Sequence, residues 1–204
     1  MTLIDLSVPI SEFMPVYPSD PTTKIEPGGT IEKEGFEDHY LSIGTHAGTH
    51  IDAPSHMILS GKTLDQFPLV TFAGRGVYIK IQNKRFDMQT ITAIPLQEGD
   101  IVLFHTGMSD RYIEKDYFDE YPAFPEELAN YLVEKKVKMV GVDMGSVDHD
   151  VFTVHKIFLQ HDILILENLT NLLLLENKQF TVYAFPLKLS LDGSPVRVVA
   201  EIKE

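Results

Sequence analysis

The sequence predicts a single α/β domain whose N-terminal half is rich in strands and whose C-terminal half alternates strand and helix. Three observations carry that prediction. The 204 residues compare with roughly 150 for one domain, and neither an internal repeat nor a low-complexity stretch divides them, so one domain spans residues 1–204. Before residue 30 the turn formers Pro15, Pro18, Pro21, Pro27, Gly28 and Gly29 separate short segments, which marks strands joined by long loops. Beyond Gly99, apolar runs of strand length alternate with stretches of helix length.

Along the chain, residues 38–45 and 76–82 alternate apolar and polar side chains and predict strands. Residues 101–106 follow the Gly99-Asp100 turn as an apolar run and predict a buried strand. A helix opens at Pro125, Glu126 and Glu127 and closes on Lys135, Lys136 and Lys138, placing acids and bases as the helix dipole favours. Residues 139–142 then predict a strand, 152–160 a helix and 163–166 another strand. Residues 181–187 and 196–202 finish the chain as two strands around the Asp192-Gly193 turn, for which a hairpin or a near-neighbour pairing is the simplest arrangement. The Leu172–Leu175 run reads as core.

Composition narrows the function. Apolar residues make up 44% and charged residues 23%, ordinary for a folded domain and unlike disordered or fibrous chains. Thirty acidic against seventeen basic side chains leave a formal charge of -13. That charge repels phosphate backbones and anionic bilayers, so neither nucleic acid nor membrane is expected as a partner. The absence of cysteine excludes a disulfide framework, a thiolate nucleophile and a cysteine zinc finger, so any metal relies on N and O donors. The first ten residues carry Asp5 and no basic flank, unlike a signal peptide, and a cytoplasmic location is expected. The longest apolar candidate, 163–175, is broken by Glu167, Asn168 and Asn171 and does not reach membrane-span length.

The informative segment runs from Thr45 to His56. Three of the eight histidines, His46, His50 and His56, fall within it. His50 and Asp52 are two apart and share one side of an extended backbone. His46 joins them if Gly48 bends the chain, as glycine permits. Two imidazoles and a carboxylate suit zinc, manganese, iron or cobalt. The plainer reading, histidines hydrogen-bonded within their own loop, suits a lone histidine better than this cluster. A His/Asp pair activating Ser55 is weaker, because Ser55 beside Pro54 lacks the setting of a nucleophile elbow.

Farther on, Glu167 follows the apolar residues 163–166, and His155 falls in the predicted helix 152–160. A short crossover can return both to one edge of a sheet. A buried Glu167 needs a partner, for which a cation is one candidate; emergence into solvent is the alternative. His105 reads as a satisfied core side chain, His39 and His161 as solvent-facing, and His149 as a candidate for a substrate or outer role.

The segment fills every specified position of the pattern H-x-G-T-H-x-D-x-P-x-H with His46, Gly48, Thr49, His50, Asp52, Pro54 and His56. Further blocks accompany it: Pro15-Val16-Tyr17-Pro18, Gly99-Asp100-Ile101-Val102 with Thr106-Gly107, Gly141-Val142-Asp143 with Ser146-Val147-Asp148, Glu167-Asn168-Leu169, and Asp192-Gly193-Ser194-Pro195-Val196-Arg197. In these blocks and their order the chain resembles the cyclase or kynurenine formamidase-like metal-dependent hydrolases.

The resemblance implies a swivelling β/β/α fold and a site holding one or two divalent ions, zinc or manganese, per subunit. It implies that His46, His50 and Asp52 bind the first ion and that Asp52 bridges to a second held by His155 and Glu167. His56 takes the place of the acid/base histidine. The implied mechanism is attack on an amide carbonyl by a metal-bound water of pKa lowered toward about 7, with His56 passing a proton to the leaving nitrogen. The type reaction is N-formylkynurenine to kynurenine plus formate, in tryptophan catabolism. Tyr17 stands where kynurenine formamidases carry a tryptophan against the aromatic substrate, and Ser19 replaces the usual glycine after Pro18. The chain has no tryptophan, which keeps cyclic amides, imides and other small amides open. A homodimer or homotetramer is also implied.

The expected function is therefore hydrolysis of a carbon–nitrogen bond in a small aromatic or cyclic amide. The alternatives are a cyclase or dehydratase of secondary metabolism on the same fold, and a metal-binding module without turnover.

Overall fold

A computed structural model describes residues 1–203. The strands are β1 (Thr2–Asp5), β2 (Lys24–Gly29), β3 (Asp38–Ser42), β4 (His50–Asp52), β5 (Ala73–Lys80), β6 (Ile101–His105), β7 (Met139–Val142), β8 (Leu164–Glu167), β9 (Phe180–Tyr183), β10 (Gly193–Pro195) and β11 (Val199–Ile202). The helices are α1 (Ile31–Glu34), α2 (Met88–Thr92), α3 (Glu126–Glu134) and α4 (Thr153–Gln160). One mixed sheet runs in the order β1-β11-β9-β5-β6-β7-β8-β4-β10, and β2 and β3 form a separate antiparallel pair. The result is one mixed α/β domain, rich in strand, as the sequence predicts.

The sheet's centre, β5 to β8, is parallel, with antiparallel strands on either side. Successive side chains of a strand point to opposite faces, and both faces here are covered. Val102 and Phe104 of β6 enter the layer that also holds Leu128 and Leu132 of α3 and Phe158 of α4. Ile101 and Leu103 enter the opposite layer with Ile51, Leu166 and Val182. That double burial explains why β6, β7 and β8 read as nearly continuous apolar runs. No helix among the described residues is long and apolar enough to cross a membrane.

Residues 38–45 do contain a strand, but every residue of β3 is exposed. Among the described residues its strand partner is β2 alone, so the alternation there does not reflect a core. The strands β9 and β11 are antiparallel neighbours, the second of the two arrangements expected, and Asp192-Gly193 is not a hairpin turn between them. The chain leaves β9 and reaches β10, whose Gly193 pairs with Asp52 of β4, before returning as β11. Leu172–Leu175 is a short 3-10 turn that buries Leu172 and Leu175 and exposes Leu173 and Leu174.

Candidate active site

The ladder between β4 and β8 brings the donors together. His50 faces Glu167 and Asp52 faces Ile165, so Glu167 shares the sheet face that carries His50 and Asp52. Gly48 adopts φ +63, the left-handed bend that returns His46 toward Asp52. His155 reaches the same carboxylates from α4. His50, Asp52, His155 and Glu167 are all buried.

The outer nitrogens of two imidazoles are tied. His50 Nδ1 donates to the Gly48 carbonyl at 2.9 Å. His155 Nδ1 donates to Asp148 Oδ1 at 2.5 Å, while Asp148 Oδ2 accepts the Val154 backbone N–H at 2.6 Å. The Nε2 atoms therefore face the carboxylates. His50 Nε2 stands 3.3 Å from Asp52 Oδ1 and 3.5 Å from Glu167 Oε2. His155 Nε2 stands 3.3 Å from Glu167 Oε1 and 3.7 Å from Asp52 Oδ2.

These separations test the fit of a metal. Donors about 2.0–2.1 Å from one tetrahedral ion stand roughly 3.3–3.4 Å apart, close to three of the four separations. Histidines that bind metals commonly donate their outer N–H to a carboxylate or carbonyl, as His50 and His155 do here. Asp52 belongs to two compact donor groups, one with His46 and His56 and one with His50 and Glu167, each with its donor atoms within 4.8 Å of one another. The buried N and O set fits a divalent ion.

His46 differs from His50 and His155, because carboxylates meet both of its nitrogens. Nδ1 is 2.7 Å from Asp52 Oδ1, and Nε2 is 2.9 Å from Asp192 Oδ2. The His56 ring lies against it, with centroids 3.9 Å apart.

Electrostatics follows from this geometry. Burial lowers the His46 pKa, but the charge of Asp52 and hydrogen bonds to Asp192 and Asp52 reverse the effect and raise it to about 9. Burial likewise opposes the charge on His155, yet Asp148 and Glu167 raise its pKa to about 10. Burial disfavours ionised Asp52 and Glu167, but the surrounding imidazoles hold both below their ordinary values. His56 is the exception: burial outweighs the attraction of Asp52 and lowers its pKa.

A cavity of about 190 Å³ opens onto the donors. Tyr17, Met57, Phe118 and Phe152 supply apolar wall, Asp20 adds a carboxylate, and neither lysine nor arginine lines it. Tyr17 meets the Phe118 ring edge-on at 5.5 Å.

Every site residue expected from the sequence therefore borders this centre: His46, His50, Asp52, His56, His155, Glu167 and Tyr17. Ser55 does not line the cavity, and its buried Oγ has no hydrogen-bond partner, so no imidazole activates it. His149 stacks on Tyr121 instead of lining the cavity. His105 is satisfied by Tyr78 at 2.7 Å. Sequence reasoning missed the direct roles of Asp148 and Asp192. An acid just ahead of a predicted helix could have flagged Asp148, whereas the Asp-Gly turn signal at 192 pointed elsewhere.

The Cyclase family model matches residues 4–149. The chain belongs to that family. A kynurenine formamidase of Bacillus thuringiensis (strain Al Hakam) is 30% identical over 203 residues, covering 96% of this chain and 95% of the relative. The solved structure of a potential metal-dependent hydrolase with cyclase activity aligns at TM-score 0.82 and 30% identity, over 100% of this chain and 98% of that one. Isatin hydrolase A from Labrenzia aggregata aligns at TM-score 0.89 and 25% identity, over 100% of this chain and 94% of that one. These structural alignments extend past the family match to the segments carrying His155, Glu167 and Asp192. Both solved structures thus share this fold.

Proposed function

We propose that the chain is a metal-dependent amidohydrolase acting on a small aromatic or cyclic amide, with kynurenine formamidase-like chemistry. The observation that carries the reading is a division of labour among imidazoles. His50 and His155 aim tied rings into Asp52 and Glu167, whereas His56 borders the cavity and burial favours its neutral form.

His46, His50 and Asp52 would hold one ion, and Asp52, His155 and Glu167 a second, with zinc or manganese as the expected metal. A bound divalent ion supplies Lewis-acid polarisation of the carbonyl and lowers the pKa of water toward about 7. Asp52 and Glu167 remain ionised because imidazoles surround them. Neutral His56 accepts a proton from the attacking water and delivers it to the leaving nitrogen as the carbon–nitrogen bond breaks. Tyr17, Phe118 and Phe152 exclude water from the cavity and offer aromatic surface to a planar ring. The small volume suits one ring bearing an amide better than a larger molecule.

The test is hydrolysis of N-formylkynurenine and of isatin by metal-stripped protein reloaded with zinc or manganese, with bound metal counted in the same samples. The expected result is metal-dependent turnover of one substrate at kcat/KM of about 10⁴ M⁻¹s⁻¹ or more. Likeness to isatin hydrolase and the presence of Tyr17 favour the cyclic arm. Failure to bind metal, or turnover unaffected by stripping, would overturn the reading.

A further inference from the structure

We propose that Asp192 is a positioning residue that holds the His46 and His56 rings as a pair, linking the ligand histidine to the acid/base histidine. This inference rests on the roles proposed above for the two rings.

One oxygen makes both contacts. Asp192 Oδ2 lies 2.9 Å from His46 Nε2 and 3.5 Å from His56 Nδ1, and the two ring planes are tilted by 35° at a centroid separation of 3.9 Å. The backbone is seated independently of that carboxylate. Ala53 N–H donates to the Asp192 carbonyl at 2.8 Å, and Gly193 pairs with Asp52 across β4 and β10. A Cβ at Gly193 would lie 2.7 Å from His46 Cε1, so this strand end approaches the ring as only glycine can. The Asp192 side chain is 36% exposed. Its removal leaves the core and those backbone ties in place.

The consequence concerns ring orientation. An Nε2–H engaged by Asp192 presents His46 Nδ1 to Asp52 and the metal position, whereas a released imidazole can rotate or change tautomer. His56 leans on that same ring, so loss of the carboxylate loosens both. An outer carboxylate of this kind commonly changes metal affinity by roughly 10–100-fold.

The proposal is tested by comparing wild type, Asp192→Ala and Asp192→Glu. One measurement is the visible absorption spectrum and dissociation constant of bound cobalt(II). The other is the set of nitrogen-15 imidazole resonances of His46 and His56, recorded without cobalt. The expected result for Asp192→Ala is a changed cobalt spectrum, roughly 10–100-fold weaker binding and shifted resonances of both rings at an unchanged fold. Asp192→Glu should recover part of each. In enzyme that turns over, kcat falls more than KM changes. Wild-type resonances for either ring in Asp192→Ala would overturn the shared hold, as would a wild-type cobalt spectrum. The imidazole measurement needs neither metal nor turnover. Failure of the hydrolase reading is therefore distinguishable from failure of this one.

Discussion

His50 and Glu167 are direct partners in the β4–β8 ladder, and their side chains meet at 3.5 Å between Nε2 and Oε2. Strand register thus places one donor against another. Glu167→Gln preserves shape but removes the charge that offsets a buried cation. Metal affinity should fall by about 100-fold or more, beyond the range usual for an outer partner, with a matching loss of activity. Metal content after dialysis checks this. Wild-type content would remove Glu167 from the ligand set.

His56 lines the cavity beside His46, with Nδ1 3.5 Å from Asp192 Oδ2, and the roles proposed above give it the proton and not the ion. His56→Ala should therefore retain its metal and its melting temperature within a few degrees. Its kcat should fall by about 10²–10⁴-fold, the usual contribution of a general acid/base. Metal counting and steady-state kinetics on the same preparation separate the two effects. A variant with wild-type kcat would assign the proton transfer to another group.

Asp148 serves two partners at once. One oxygen accepts from His155 Nδ1, and the other accepts the Val154 N–H in the first turn of α4. Asp148→Ala removes the anchor that selects the His155 tautomer and leaves the first backbone N–H groups of α4 without their side-chain acceptor. Metal affinity should fall by roughly 10–100-fold and stability by about 1 kcal/mol. Isothermal titration and denaturant unfolding give both quantities, and a loss of stability without loss of metal would confine Asp148 to a helix-capping role.

The sequence makes legible those parts of the site that local spacing determines. His46, His50, Asp52 and His56 stand out because a strand and one glycine bend suffice to gather them. Glu167 is conspicuous as a charge ending an apolar strand, while the role of His155 needs the family resemblance as well as its helix. Asp192 is different: it meets His46 across 146 residues of sequence, through an edge pairing that no local pattern encodes. Its Asp-Gly dipeptide carries a strong turn signal that masks this contact. The central strands declare themselves by burial on two faces, whereas β3 shows that alternation alone does not establish a buried face.

Ser19 adopts φ +79, in the left-handed region that costs a non-glycine residue about 1–2 kcal/mol. The backbone beside Pro18 thus takes a glycine-like conformation under a serine side chain. Ser19→Gly relieves that strain but adds chain entropy to the unfolded state, worth roughly 0.5–1 kcal/mol. A net stabilisation of about 0.5–1 kcal/mol is expected. Chemical denaturation checks it, and a variant no more stable than wild type would show that the serine backbone carries no strain.

In chelated protein, protons on His46 and His155 would offset the buried carboxylates in place of an ion, which sets its pH dependence. His46 and His155 have folded pKa values raised from 6.5 to about 9 and about 10. Their contribution is present in full below about 6.5 and is lost as pH rises through the folded values. Asp52 and Glu167 are shifted downward, so their contribution is present above about pH 4–5 and lost as pH falls through those lowered values. Metal-free protein should therefore be most stable between about pH 5 and 7 and less stable toward pH 10. The His46 shift alone corresponds to at most roughly 3 kcal/mol, or about 6–12 °C in Tm for a chain of this size. Metal takes the place of these protons and releases them on binding, so loaded protein should show a smaller fall over the same range. Calorimetry at pH 6 and pH 10, with chelator and with zinc, measures the difference. Equal melting temperatures for chelated protein at the two pH values would mean that protonated imidazoles do not hold the empty centre together.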